Sequence, residues 1–229
     1  MIEAPVTPTA EDFERLLATR HSCRAFRPDP VPRATIESLL AAAQWAPSWC
    51  NTQPWSVYLT EGDATERFRV GLAHAVRSEP QDPDYPFPEE YNGVYRDRRK
   101  ECAEQLYTSV GIPLGDRQAS ARQTMKNFDL FGAPHVAVLT CEESLGVYGA
   151  VDCGLYLGTL LLAAHSHGIA AVPQAAVAGC APFVRQFFDI PPQRKVLCAV
   201  SFGFEDHTRP ENRFRTTRAD LDAVVTWCD

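Results

Sequence analysis

The 229-residue chain contains no CxxC pair, no GxSxG elbow, no GxGxxG loop and no internal repeat. Each absence removes a class of protein. Its eight cysteines, at 23, 50, 102, 141, 153, 180, 198 and 228, come no closer than the twelve positions between Cys141 and Cys153. Structural zinc and redox dithiols use tight pairs, so free thiols in a reducing, cytoplasmic setting are expected. The opening MIEAPVTPTAEDFERLL lacks the basic-then-apolar order of a secretory signal, so export by that route is not expected. Positive charge is in deficit: Lys+Arg 22 against Asp+Glu 29 leaves −7. Such a field repels a phosphate polymer, so neither nucleic acid nor an anionic membrane is an expected partner, and any bound anion needs a local basic cluster. No charged residue occurs from 153 to 184, yet the apolar stretch 154–164 is too short to span a bilayer and is ended by His165, His167, Gly168 and Pro173. A buried helix and no membrane span are expected. His165 and His167 are two apart and diverge on a helix, so no metal site is expected.

What is present suits one domain over 1–229: 45% hydrophobic and 10% aromatic residues supply a core. Thr9 and Asp12 mark a helix start, and Phe13, Leu16 and Leu17 share one face. Pro32 opens a second helix, with Ile36, Leu39, Leu40 and Ala43 at helical spacing, stopping near Ala46 before Pro47. Strands are expected at 55–60, 135–140, 169–172 and 196–202, and helices at 64–76, 147–165 and 182–188. This alternation predicts a three-layer α/β sandwich of the α+β class. Residues 79–117 read as an excursion. Pro80, Pro83, Pro86 and Pro88 alternate with Tyr85, Phe87, Tyr91 and Tyr95, then a charged helix follows at 96–110 and another helix at 118–131. Long insertions of this kind serve as substrate lids or as dimer-embracing arms, and both remain open. The apolar end LDAVVTW calls for a covering surface, such as a partner subunit.

Three constellations carry chemistry. Arg20-His21-Ser22-Cys23-Arg24 offers two guanidiniums, an imidazole and a hydroxyl, which suits a phosphate monoester as well as it suits a helix C-terminus. Arg213, Arg215 and Arg218 form a second basic group; if the termini meet, both converge on one anion. Between helix two and the first strand, Pro47-Ser-Trp-Cys-Asn-Thr-Gln-Pro-Trp55 combines aromatic walls with amides that read a heteroaromatic edge or close an Asx-turn.

RHSCRAF, APSWCNTQPW, GIAAVPQAA and NRFRTTRADLDAVV, in that order and spacing, resemble the FMN-dependent nitroreductase family. The proline-aromatic excursion with YRDRR and NFDLFGAP resembles its nitroaromatic and nitrobenzoate reductase branch. The resemblance implies a nitroreductase-like fold with a mixed central sheet flanked by helices. It implies FMN, with NADPH or NADH as donor, and a ping-pong transfer of two electrons to a nitroaromatic or quinone. It also implies a homodimer with shared active sites. Arg20, His21, Ser22 and Arg24 match phosphate and ribityl contacts, and Arg215 and Arg218 match the C-terminal phosphate side. Ser48, Trp49 and Asn51 match the loop laid against a partner's flavin. Pro173, Gln174, Ala175 and Ala176 match the segment under the ring, and Asn127 matches a ring-edge contact. Ala175 stands where many members carry a carboxylate. Hydride transfer then belongs to the flavin and no catalytic side chain is assigned. Reductive dehalogenation or flavin fragmentation on the same fold, or flavin binding without turnover, are the alternatives.

Overall fold

A computed structural model describes residues 9–228. Helix α1 (Ala10–Thr19) is capped as expected, with the Thr9 hydroxyl accepting from the Asp12 N–H at 3.2 Å. The next elements are α2 (Arg33–Ala43), β1 (Trp55–Leu59), α3 (Asp63–Ser78), α4 (Gly93–Ser109) and α5 (Arg117–Met125). Then come β2 (His135–Glu142), α6 (Gly146–Ser166), β3 (Ala170–Gln174), α7 (Ala175–Ala178), α8 (Ala181–Phe188) and β4 (Arg194–Gly203). The four strands lie in the order β1-β2-β4-β3, antiparallel throughout. The mixed character expected of the sheet is confined to one parallel bridge between Ser22 and Ala171 at the β3 edge.

The layers follow from strand alternation. Val136 and Val138 point to one face, where Phe68 and Leu72 of α3 and Val184 of α8 pack. Ala137 and Leu139 point to the other, against Ile36 and Leu39 of α2 and Tyr156 and Leu160 of α6. The sandwich is therefore three-layered, as the alternating pattern predicts. Two expectations shift. The helix expected to run to 131 ends at Met125, where Lys126, Asn127 and Phe128 bond to the carbonyls three residues back, and Leu130 and Phe131, both at φ 53°, then turn into the core. The apolar face of α1 is not buried: Phe13 and Leu17 are exposed.

The 143–166 segment, which includes α6, is long and apolar enough by composition to cross a bilayer, longer than the 154–164 stretch suggested. A core helix passes the same test. Here α6 lies on the sheet and α2, and carries the buried carboxylate of Asp152.

All eight cysteines are free thiols, of which Cys23, Cys141, Cys153, Cys180 and Cys198 are buried. Burial pushes Cys23 and Cys198 up to about 12, which suppresses the reactive thiolate. Titration of native protein with a thiol reagent is expected to modify the exposed Cys50 and Cys228 first, and in denaturant without reductant all eight. A lower total in denaturant would reveal a disulfide.

Candidate active site

The two ends of the chain meet through a buried asparagine. Cys23 N–H donates to the Ala171 carbonyl at 3.1 Å, which lays the segment after α1 beside β3. Asn212 then ties that segment to the one after β4. Its Oδ1 accepts from Arg24 N–H at 2.7 Å, and its Nδ2 donates to the carbonyls of Ala25 at 2.8 Å and Asp206 at 3.0 Å. Arginines of both basic clusters consequently line one cleft of about 200 Å³, walled by Arg20, Ser22, Arg24, Phe214, Arg215 and Arg218, while Arg213 is not part of it and donates to the Thr208 carbonyl at 3.1 Å.

Three of the four guanidiniums are held by neutral groups. Arg24 lies over the Phe214 ring at 5.2 Å and donates to the Ser22 carbonyl at 3.2 Å. Arg215 donates to the Asn212 and Phe214 carbonyls at 2.7 and 2.8 Å, and Arg218 to the Thr216 hydroxyl at 2.8 Å. Among the described residues none of these four arginines has a carboxylate partner. Burial, and then the charge of Arg218, pull the Arg20 guanidinium below the usual arginine range. Cations gathered at a cost in mutual repulsion, with rigid forks, form the donor set that matches a dianionic phosphate. The residues fit the phosphate end of FMN.

His21 lines the same cleft, but its ring is committed elsewhere: Nδ1 meets the Thr19 carbonyl at 3.1 Å and Nε2 the Glu205 carboxylate at 3.2 Å. It fixes the turn rather than offering a free donor to the cleft.

Segment 173–176 leaves β3 for α7. Gln174 is buried and faces inward, where Nε2 donates to the Asn127 carbonyl at 2.8 Å and Oε1 accepts from the Ser201 hydroxyl. Gln174 and Asn127 are therefore brought together, and Asn127 is locked by its own donation to the Thr124 carbonyl at 2.9 Å. Along this segment Ala175 is exposed, while Pro173 and Ala176 are half-buried.

The 48–53 loop lies outside the arginine cleft of its own chain. Cys50, Asn51 and Gln53 all adopt positive φ, between 48° and 56°, a strained arrangement for residues with side chains. Two features hold it: Trp49 N–H donates to the buried Asp152 carboxylate at 3.1 and 3.2 Å, and Ser48 Oγ accepts from Gln53 N–H at 3.0 Å. Trp49 stays largely exposed, edge-on to Tyr148 at 4.7 Å. Ser201 and Asp152 carry no sequence signal of their own, and Asn212 and Phe214, though inside NRFRTTR, have none that sets out their roles. Each acts through a partner far along the chain.

An α+β sandwich in which segments from either end of the chain close an arginine cleft defines a protein built to bind a phosphate-bearing ligand. The model of the Nitroreductase family matches residues 17–204, and the chain belongs to that family. It is 37% identical over 222 residues to the nitroreductase NfnB of Mycolicibacterium smegmatis, covering 96% of this chain and 94% of that one. It is 32% identical over 208 residues to a 4-nitrobenzoate reductase of Pseudomonas putida, covering 91% and 92%. Among solved structures it superposes with a TM-score of 0.91 and 36% identity on the crystal structure of the FMN-dependent NfnB of Mycobacterium smegmatis in complex with NADPH. That match covers 96% of this chain and 99% of that one.

Proposed function

We propose that the protein is an FMN-dependent NAD(P)H nitroreductase acting on nitroaromatic or quinone acceptors in the cytoplasm. The observation that carries this reading is the cleft in which Arg20 and Arg24 from one end of the chain meet Arg215 and Arg218 from the other, with no carboxylate to neutralise them. The mycobacterial relative is FMN-dependent and takes NADPH, and the Pseudomonas relative reduces 4-nitrobenzoate. The chemistry FMN supplies when bound is two-electron transfer from NAD(P)H to the acceptor.

The chain's own residues bind, orient and shield. Arg20 and Arg218, with Arg215, would hold the phosphate, and Ser22 and Arg24 would meet the phosphate and ribityl chain. Pro173, Gln174, Ala175 and Ala176 present backbone to the ring. Because Gln174 turns inward and Ala175 has no polar group, this segment would offer the ring its main chain and no side-chain acid. Asn127 reaches the ring edge from a position fixed by Gln174.

Ser48, Trp49 and Asn51 serve the partner's site in a homodimer, which accounts for a strained loop that does not line its own cleft. Exposed apolar surface supports this assembly. Val147, Val151 and Leu155 make a stripe along α6, Phe13 and Leu17 face out from α1, and the tail exposes Leu221, Val224 and Trp227. Light scattering is expected to give a dimer at all workable concentrations, and a stable, active monomer would overturn the shared site.

Steady-state oxidation of NAD(P)H is expected to be slow alone and to accelerate with 4-nitrobenzoate or a quinone. An absence of acceleration by every acceptor, with flavin bound, would leave a flavin-storing protein.

A further inference from the structure

Behind the phosphate cleft lies a separate and larger cavity of about 480 Å³, between the end of α6, the start of β3 and the turn after β4. Its floor is apolar, made by Leu161, Ile169, Ala170, Ala171 and Phe204. Its rim is ionic, and nearly every ionic group there is already matched. Glu205 Oε1 takes His21 Nε2 at 3.2 Å and lies 3.6 Å from His207 Nδ1. The Asp206 carboxylate accepts from the Thr208 N–H and hydroxyl at 2.9 and 2.6 Å. Arg27 pairs with Asp29 at 2.9 Å, and His165 Nε2 meets the Thr19 hydroxyl at 2.8 Å.

The exception is Arg20. It lines this cavity as well as the phosphate cleft, and no hydrogen-bond acceptor or ion partner for its guanidinium occurs among the described residues. A guanidinium carries five N–H donors, so a phosphate on one side leaves donors for the other. An occupant of this cavity must therefore bring an acceptor for Arg20 and an apolar body for the floor. An inorganic anion lacks the second, and a neutral hydrocarbon lacks the first.

We propose that this cavity is a second ligand site, back to back with the phosphate cleft and sharing Arg20, that takes a small carboxylate with an apolar body, such as a single-ring aromatic acid. The volume lies within the range of small-molecule sites. Any coupling to cofactor rests on the reading of Arg20 as a phosphate ligand, but occupancy does not.

The test is calorimetric titration of the dimeric holoenzyme with benzoate, beside acetate and inorganic phosphate. Benzoate is expected to saturate one site per chain, with the other two roughly tenfold weaker or worse. Leu161→Trp fills the floor, and His207→Glu sets a carboxylate at the rim, where the side chain is 83% exposed; His207→Gln, which removes the same imidazole from beside Glu205 without adding charge, is the control. Leu161→Trp and His207→Glu are each expected to weaken benzoate by roughly tenfold while FMN content stays unchanged. Absence of saturable binding overturns the proposal. So does binding that His207→Glu leaves intact, or binding that a neutral nitroaromatic without a carboxylate, such as nitrobenzene, displaces competitively, which would place benzoate in the flavin pocket. Protein that holds no FMN yet binds benzoate with the same sensitivity to His207→Glu would sink the functional reading and keep this one.

Discussion

Arg20→Ala and Arg218→Ala are each expected to release FMN from a protein that stays folded. The two residues come from opposite ends of the chain and face one cleft, and neither takes part in the packed core. A lost charged hydrogen bond is worth about 1.5–3 kcal/mol, which weakens binding roughly 10- to 150-fold. Neither substitution removes an ion pair of the fold, so thermal midpoints without cofactor should hold or rise, as repulsion between the two guanidiniums is relieved. FMN dissociation constants from fluorescence quenching measure the effect. Unchanged affinity in both variants would reduce the two clusters to surface charge.

Asp84→Ala is expected to give the largest loss of stability outside the hydrophobic core. The Asp84 carboxylate, only 12% exposed, takes Arg185 Nη2 at 2.7 Å and Nε at 3.2 Å, and accepts Val196 N–H at 2.6 Å. Asp82 N–H donates to the Gly179 carbonyl at 2.9 Å beside it, and burial raises the Tyr85 hydroxyl above the usual tyrosine range. Removing one partner leaves a largely buried Arg185 uncompensated, costing about 3 kcal/mol, or roughly 6–12 °C in midpoint for a domain of this size. An exposed control in the same loop, Glu89→Ala, should fall within about 0.5 kcal/mol of the parent. Equal midpoints for the two variants would contradict the anchoring. The root of the 79–117 excursion is thereby pinned to α8 and β4, so a lid hinged at 82–85 is disfavoured. Contact with substrate or partner is left to residues beyond 86, where Tyr91, Val94 and Tyr95 are exposed.

Local patterning carried the layers. Period-two alternation in β2 and helical spacing in α2, α3 and α6 assign the buried faces from sequence, because those side chains pack against whatever lies across the sheet. The end of α5 is not legible, since no residue type at 126–128 announces the switch to bonds three residues back. The exposed face of α1 reads as a core stripe in sequence because periodicity reports only that Phe13, Leu16 and Leu17 share a face, and not whether another element packs on it. Within the site, the arginines and the 48–53 loop stood out by residue type. What brings them into place did not: Asn212 reaches Arg24 across 188 positions, and Asp152 reaches Trp49 across 103. Such pairings exist only once the sheet has formed.

The most direct measurement is the absorbance spectrum of the purified protein, followed by that of the small molecule released on denaturation. The account predicts a yellow protein with flavin bands, carrying FMN in stoichiometric amount, whose bands bleach on anaerobic addition of NAD(P)H and return with 4-nitrobenzoate. Colourless protein that does not regain these bands when reconstituted with FMN would contradict it.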